Sequence, residues 1–123
     1  MDLKERSAGD TILVAATGRI DLSNADAFHD ALAASLAKAK STLIVDLSGV
    51  EYISSAGLRA LMIVFKGAKA ENKNFGMAAL QPLLVEIFTI SRFNQVFALF
   101  DTMRGAVEKL APDTLPQFDA LRS

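Results

Sequence analysis

Residues 42–59 constrain the fold more than any other stretch of the chain. They run Thr42-Leu43-Ile44-Val45-Asp46, then Leu47-Ser48-Gly49-Val50-Glu51-Tyr52-Ile53, then Ser54-Ser55-Ala56-Gly57-Leu58-Arg59. An unalternating apolar run ending at a carboxylate reads as a short strand, Thr42 to Asp46, buried on both faces. Asp46 is then expected at the sheet edge, with Leu47 to Ile53 as a surface loop and a helix beginning at the serine pair. The first turn of a helix carries unpaired N–H groups and partial positive charge, so it favours hydroxyls and phosphates. A serine there can cap the helix, act as a nucleophile or accept a phosphate.

The flanking sequence supplies the remaining layers. Leu3–Ser7 and Thr11–Thr17 bracket Ala8-Gly9-Asp10 as a hairpin. Gly18-Arg19-Ile20-Asp21 closes the second strand, and Ser23 or Asn24 can cap a helix from Ala25 to Lys38. Ala25, Phe28, Leu32 and Leu36 fall on one face of that helix. Leu58, Leu61, Met62 and Phe65 do the same after Ser55. Phe75–Leu80 reads as a strand. A helix over Pro82–Arg92 follows, with Leu83, Leu84, Ile87 and Phe88 facing inward. Val96–Phe100 is a last strand. Asp101 or Thr102 caps a helix to Ala111 that buries Met103, Ala106, Val107 and Leu110. Residues 1–111 form one domain in this reading, and 112–123 a loosely docked C-terminal extension. Strands alternate with helices after the hairpin, which predicts an α/β fold: a mixed, mainly parallel sheet of four to five strands with about four helices. Such sheets gather their sites at the strand ends, where Asp21, Asp46 and Ser55 are expected to meet.

Composition removes several kinds of function. Net charge is −1, giving no pull towards nucleic acid or an anionic membrane. There is no cysteine, hence no disulfide or thiolate chemistry. Met1–Arg6 lacks the apolar core of a signal peptide, and no apolar run approaches the roughly 20 residues that span a bilayer. The expectation is a soluble cytoplasmic protein.

Catalysis finds little support. The single histidine, His29, sits beside Asp30 on a helix surface. No Gly-x-Ser-x-Gly elbow surrounds Ser54 or Ser55, and no phosphate loop, dinucleotide fingerprint or metal-ligand set is present. Neither enzyme activity, cofactor nor metal is expected. For the serines, capping is the simplest physical role, worth about 1 kcal/mol. Gly57 points further, because glycine weakens a helix unless another group approaches closely. Arg59, one turn beyond Ser55, could pair with a partner, steady a phosphate or remain solvated. Phe88, Phe93, Phe97 and Phe100 have the spacing of core aromatics.

Gly18-Arg19-Ile20-Asp21, Val45-Asp46-Leu47-Ser48-Gly49-Val50 and Tyr52-Ile53-Ser54-Ser55-Ala56-Gly57-Leu58-Arg59 resemble the signatures of STAS domains. They are most similar to those of single-domain bacterial anti-sigma-factor antagonists. Pro82, Phe88, Ser91, Phe93 and Phe97–Phe100 fit the family's later pattern, so the resemblance spans about residues 3–111. It implies a partner-switching cycle. The unphosphorylated antagonist binds an anti-sigma factor that is also a serine kinase, phosphorylation ends binding, and a PP2C-type phosphatase restores it. The family's target, two positions before Gly-Leu, corresponds to Ser55. The chain carries Ser54 where the best-known members have Asp, and Ala56 where they have a second hydroxyl, so Ser54 is a rival target. Asp21, Asp46, Ser54, Ala56, Gly57, Leu58 and Arg59 form the expected surroundings, with the two carboxylates repelling the phosphate. Other readings are a STAS scaffold or lipid-transport accessory subunit without a switch, and a small α/β enzyme or nucleotide-binding protein.

Overall fold

The computed structural model of the chain describes residues 1–121. Five strands form one sheet in the order β1-β2-β3-β4-β5: β1 Asp2–Ala8, β2 Thr11–Ile20, β3 Thr42–Ile53, β4 Asn74–Ala78 and β5 Ala98–Phe100. The first pair is an antiparallel hairpin turned at Gly9-Asp10, where Gly9 takes φ +60°. All later pairings are parallel. The helices are α1 Ala25–Lys38, α2 Ser55–Ala70, α3 Pro82–Ile90, α4 Met103–Leu110 and α5 Leu115–Leu121, one more than the expected four.

Both faces of the sheet are covered, which is why β3 has no alternation at its start. Leu43, Val45 and Leu47 enter the larger core beneath α1, α2 and α3, whereas Ile44 points into a second core beneath α4 and α5. The α1 stripe of Ala25, Phe28, Leu32 and Leu36 is buried as its spacing requires. On α2, Leu58 and Leu61 are buried and Met62 and Phe65 partly so, while Ala60, Val64 and Ala68 complete the contact. Leu83 departs from expectation and faces outward, because the short α3 packs inward through Leu84 and Phe88, one turn apart, with Ile87 partly buried beside them. Phe97 anchors the core's end, with ring centroids 5.5 Å from Phe65 and Phe93 and 6.1 Å from Phe88. Phe100 packs with the second core. At the opposite sheet edge the Ser35 hydroxyl donates to Glu5 at 2.6 Å, tying α1 to β1.

Two expectations need correction. Leu47–Ile53 is no surface loop: β3 runs through it, and Leu47, Val50 and Ile53 are buried. Two register shifts against β2, between Ala15 and Thr17 and between Gly18 and Arg19, each give β3 an extra residue. Those bulges change inward spacing from two to three and so disguise the strand. The C-terminal segment also docks firmly. Residues 112–114 form a 3-10 turn whose Thr114 is buried, its hydroxyl 3.0 Å from that of Thr11, and α5 buries Phe118 against the second core. Arg122 and Ser123, part of the expected extension, lie outside the described residues. Phe118→Ala should therefore lower unfolding stability by about 3 kcal/mol, the cost of emptying a buried aromatic position, as read from urea denaturation; a loosely docked tail would leave the midpoint unchanged.

Candidate functional site

β3 delivers the chain to α2 through a corner with no slack. The Ser54 N–H donates to the Ile20 carbonyl at 2.9 Å, joining the start of α2 to the end of β2. Ser54 is extended (φ −86°, ψ 173°), and its Oγ accepts the Gly57 N–H at 3.3 Å. Its carbonyl takes the first helical bond, from Leu58 N–H at 2.9 Å. Capping, open to either serine in the sequence, thus falls to Ser54. Gly57 is required here by crowding, since a Cβ on it would lie 2.6 Å from Ile53 and 2.8 Å from Ile20. Leu58 is buried beneath the same turn.

Ser55 consequently occupies the first full position of α2 with nothing to hold it. It is exposed, and its hydroxyl makes no hydrogen bond among the described residues. The first turn of α2 carries no acidic side chain, so the positive end of the helix is uncompensated there. Ser54 is half-buried and engaged; Ser55 is exposed and free.

Asp21 follows Ile20 directly and so lies at this corner. Its carboxylate accepts the Ser23 hydroxyl at 2.5 Å and the Ser23 N–H at 3.0 Å. The hydroxyl bond chiefly holds the Asp21 carboxyl below the usual aspartate range. Asn24, which precedes α1, uses its side chain to bridge Asp21 N–H and the Arg19 carbonyl, both at 2.9 Å. The turn from β2 into α1 is therefore fixed by its own polar groups.

The structure does not bring Asp46 to this corner. Asp46 pairs with Ala15 on β2 and Ala78 on β4, well inside the sheet. The five steps along β2 from Ala15 to Ile20, at ~3.3 Å each, put it about 17 Å from the corner. Its side chain also shares the α4–α5 face with Ile44 and opens into a cleft there. A strand that ended at Asp46 would have left the carboxylate at the edge; the bulged continuation carries the edge away from it.

Beside Ser55 lies a groove between α1 and α2 of about 260 Å³, which includes Ala56 and Arg59. Its rim holds Leu22, 84% exposed, and Ile63, 51% exposed. Ala56, Ala60 and Ile63 form a stripe at i, i+4, i+7 along the groove flank of α2, running from buried Ala60 out to exposed Ile63. That stripe and an isolated leucine in the polar Asp21–Asn24 turn were the available signals for this surface. The stripe is masked by the stronger inward stripe of the same helix, and the leucine by being a single exposed apolar residue. His29 lines the groove too, with Nδ1 3.0 Å from the Asp30 carboxylate. Arg59 is exposed and in no ion pair among the described residues. No cluster of three or more His, Cys, Asp or Glu residues suited to a metal occurs among the described residues, and no helix there is long and apolar enough to cross a membrane. Together, an apolar rim, a free hydroxyl and a free guanidinium make a surface suited to protein recognition.

Residues 3–103 match a family described as the Mlab, STAS domain. Among curated relatives, BtrV of Bordetella bronchiseptica, named an anti-sigma factor antagonist, is 32% identical over 89 residues, covering 72% of this chain and 77% of the relative. The crystal structure of an anti-sigma factor antagonist from Mycobacterium paratuberculosis superposes with a TM-score of 0.81 at 25% identity, covering 89% of this chain and 92% of the other. An antagonist-type structure from Thermotoga maritima matches at 0.82 over 88% of this chain and 93% of its own, and its 17% identity speaks to the fold alone.

Removing each hydroxyl should separate the two serines. Ser54→Ala loses the cap and should cost about 1 kcal/mol. Ser55→Ala should stay within about 0.5 kcal/mol of wild type. Urea midpoints decide it: equal losses, or a larger loss for Ser55, would contradict the assignment of the cap.

Proposed function

This chain belongs to the STAS domain family, and from that premise we propose that it is an anti-sigma-factor antagonist controlled at Ser55. The unmodified protein binds an anti-sigma factor through the α1–α2 groove and the start of α2, freeing the sigma factor in the cytoplasm. That anti-sigma factor is also a serine kinase. In the transfer the Ser55 hydroxyl oxygen attacks the γ-phosphorus of ATP. The new O–P bond forms as the bond to the β,γ-bridging oxygen breaks, ADP leaves, and the hydroxyl proton passes to a base on the kinase. A PP2C-type phosphatase hydrolyses the ester and restores binding. Residues 1–111 act as the STAS domain, and the extension from residue 112 covers the second face of the sheet.

One observation carries the reading: Ser54 performs the structural task at the helix start, leaving Ser55 exposed with a free hydroxyl. A phosphate there brings close to two negative charges beside an uncompensated helix N-terminus, so the fold tolerates it. The partner does not. Its surface is complementary to a neutral hydroxyl flanked by Leu22, Ala56 and Ile63, and loses contact through desolvation and repulsion. Asp21, at the same corner, adds to that repulsion. Asp46 contributes little, because about 17 Å is roughly twice the screening length of about 8 Å at physiological salt.

Ser55→Asp should weaken binding to the cognate anti-sigma factor more than tenfold, at least 1.4 kcal/mol, with far-UV circular dichroism unchanged. Calorimetric titration of wild type and variant tests this. Equal affinities would favour a scaffold or lipid-transport accessory without a switch.

A further inference from the structure

A cleft of about 610 Å³ lies on the face of the sheet away from Ser55, between the β1–β3 surface, the start of α4 and Phe118 of α5. Its volume falls within the range of small-molecule sites. The sheet register explains why it is open. Lys4, Ala15, Asp46 and Ala78 form one row across β1 to β4, so two alanines lie where larger side chains would fill the space. Leu13 and Ala15 make the floor, and Met103 and Phe118 stand over it.

The polar groups are unevenly placed. Lys4 and Arg6 lie on edge strand β1, and neither joins an ion pair among the described residues; Arg6 makes one 3.5 Å bond to the Leu121 carbonyl. Arg104, also at the cleft, is already neutralised by Asp119, at 3.2 Å, and by Glu108. Asp46 stands two strands from Lys4, about 9.5 Å between backbones. Its carboxylate accepts only the Ser48 N–H among the described residues, at 2.9 Å. Two cations on β1 without ion pairs thus face one carboxylate across an apolar floor, while the Arg104–Glu108–Asp119 cluster carries one negative charge at the helical side, so the cleft's positive charge is concentrated at its β1 end.

The geometry points to a binding site for an amphipathic organic anion: a carboxylate held by Lys4 and Arg6, with its aliphatic or aromatic body lying on Leu13 and Ala15 beneath Met103 and Phe118. Asp46 sets the orientation, repelling the acid group and so directing it to the β1 end. This ligand is distinct from the protein partner proposed at Ser55, and the site does not depend on that reading.

Sodium octanoate, octanol and octylammonium titrated into the isotopically labelled full-length protein test the assignment by NMR. Octanoate should give saturable one-to-one shifts confined to β1, β2, Asp46 of β3, the beginning of α4 and Phe118 of α5, and should bind more tightly than either analogue. Lys4→Ala combined with Arg6→Ala should weaken octanoate at least tenfold, while Asp46→Asn should strengthen it several-fold. Both variants should keep the wild-type fold, since they alter exposed edge side chains or preserve the bond from Ser48. No saturation by about 10 mM octanoate, which would leave less than about 3 kcal/mol of binding energy, would overturn the proposal. Tighter binding of octylammonium, shifts centred on α1 and α2, or an unchanged affinity in the double variant would overturn it equally.

Discussion

The hydrogen bond from Ser54 N–H to the Ile20 carbonyl fixes the corner on which the rest of the functional surface depends. It aligns the ends of β2 and β3, so that the turn into α1 and the first turn of α2 emerge side by side. Packing makes the alignment rigid, because Gly57 sits against Ile20 and Ile53 with no space for even a methyl group. The helix start is then capped by the residue that makes the backbone bond. The next residue, Ser55, is left with no structural duty. Division of labour between adjacent serines is thus a consequence of strand alignment.

The sheet also separates two kinds of chemistry. On one face, α1 and α2 cover the larger core and form between them an apolar-rimmed groove beside Ser55. On the other, α4 and α5 cover only part of the surface and leave a cleft with unpaired cations and one carboxylate. Asp46 belongs to the second face. Distance and solvent screening together remove it from the electrostatics of a phosphate on Ser55, which leaves Asp21 as the neighbouring carboxylate of the pair.

Much of this was legible in the sequence because local signals and tertiary burial agree. The Ala25–Phe28–Leu32–Leu36 stripe, the Gly9 turn and the run at Leu43–Val45 each predict the element they form. The serine pair at a helix start was equally clear. Which serine caps was not, because that depends on how β3 enters the corner. The continuation of β3 was hidden by two bulges, which space Leu47, Val50 and Ile53 by three and resemble no regular strand. Misplacing Asp46 follows from the same cause. The docking of Phe118 was obscured by prolines and by a helix too short to show periodicity, and it is decided by the second core it completes. Leu22 and Ile63 stayed unread because exposed apolar residues are common singly, and only the folded groove places these two together.

Site-localised phosphorylation tests the account at its centre. Wild type, Ser54→Ala and Ser55→Ala proteins are incubated with the cognate kinase and ATP, and the modified residue is located by fragment mass spectrometry. One phosphate on Ser55 in wild type and in Ser54→Ala, with none on Ser55→Ala, is the predicted result. Phosphate on Ser54, or its persistence in Ser55→Ala, would contradict the division of roles between the two serines.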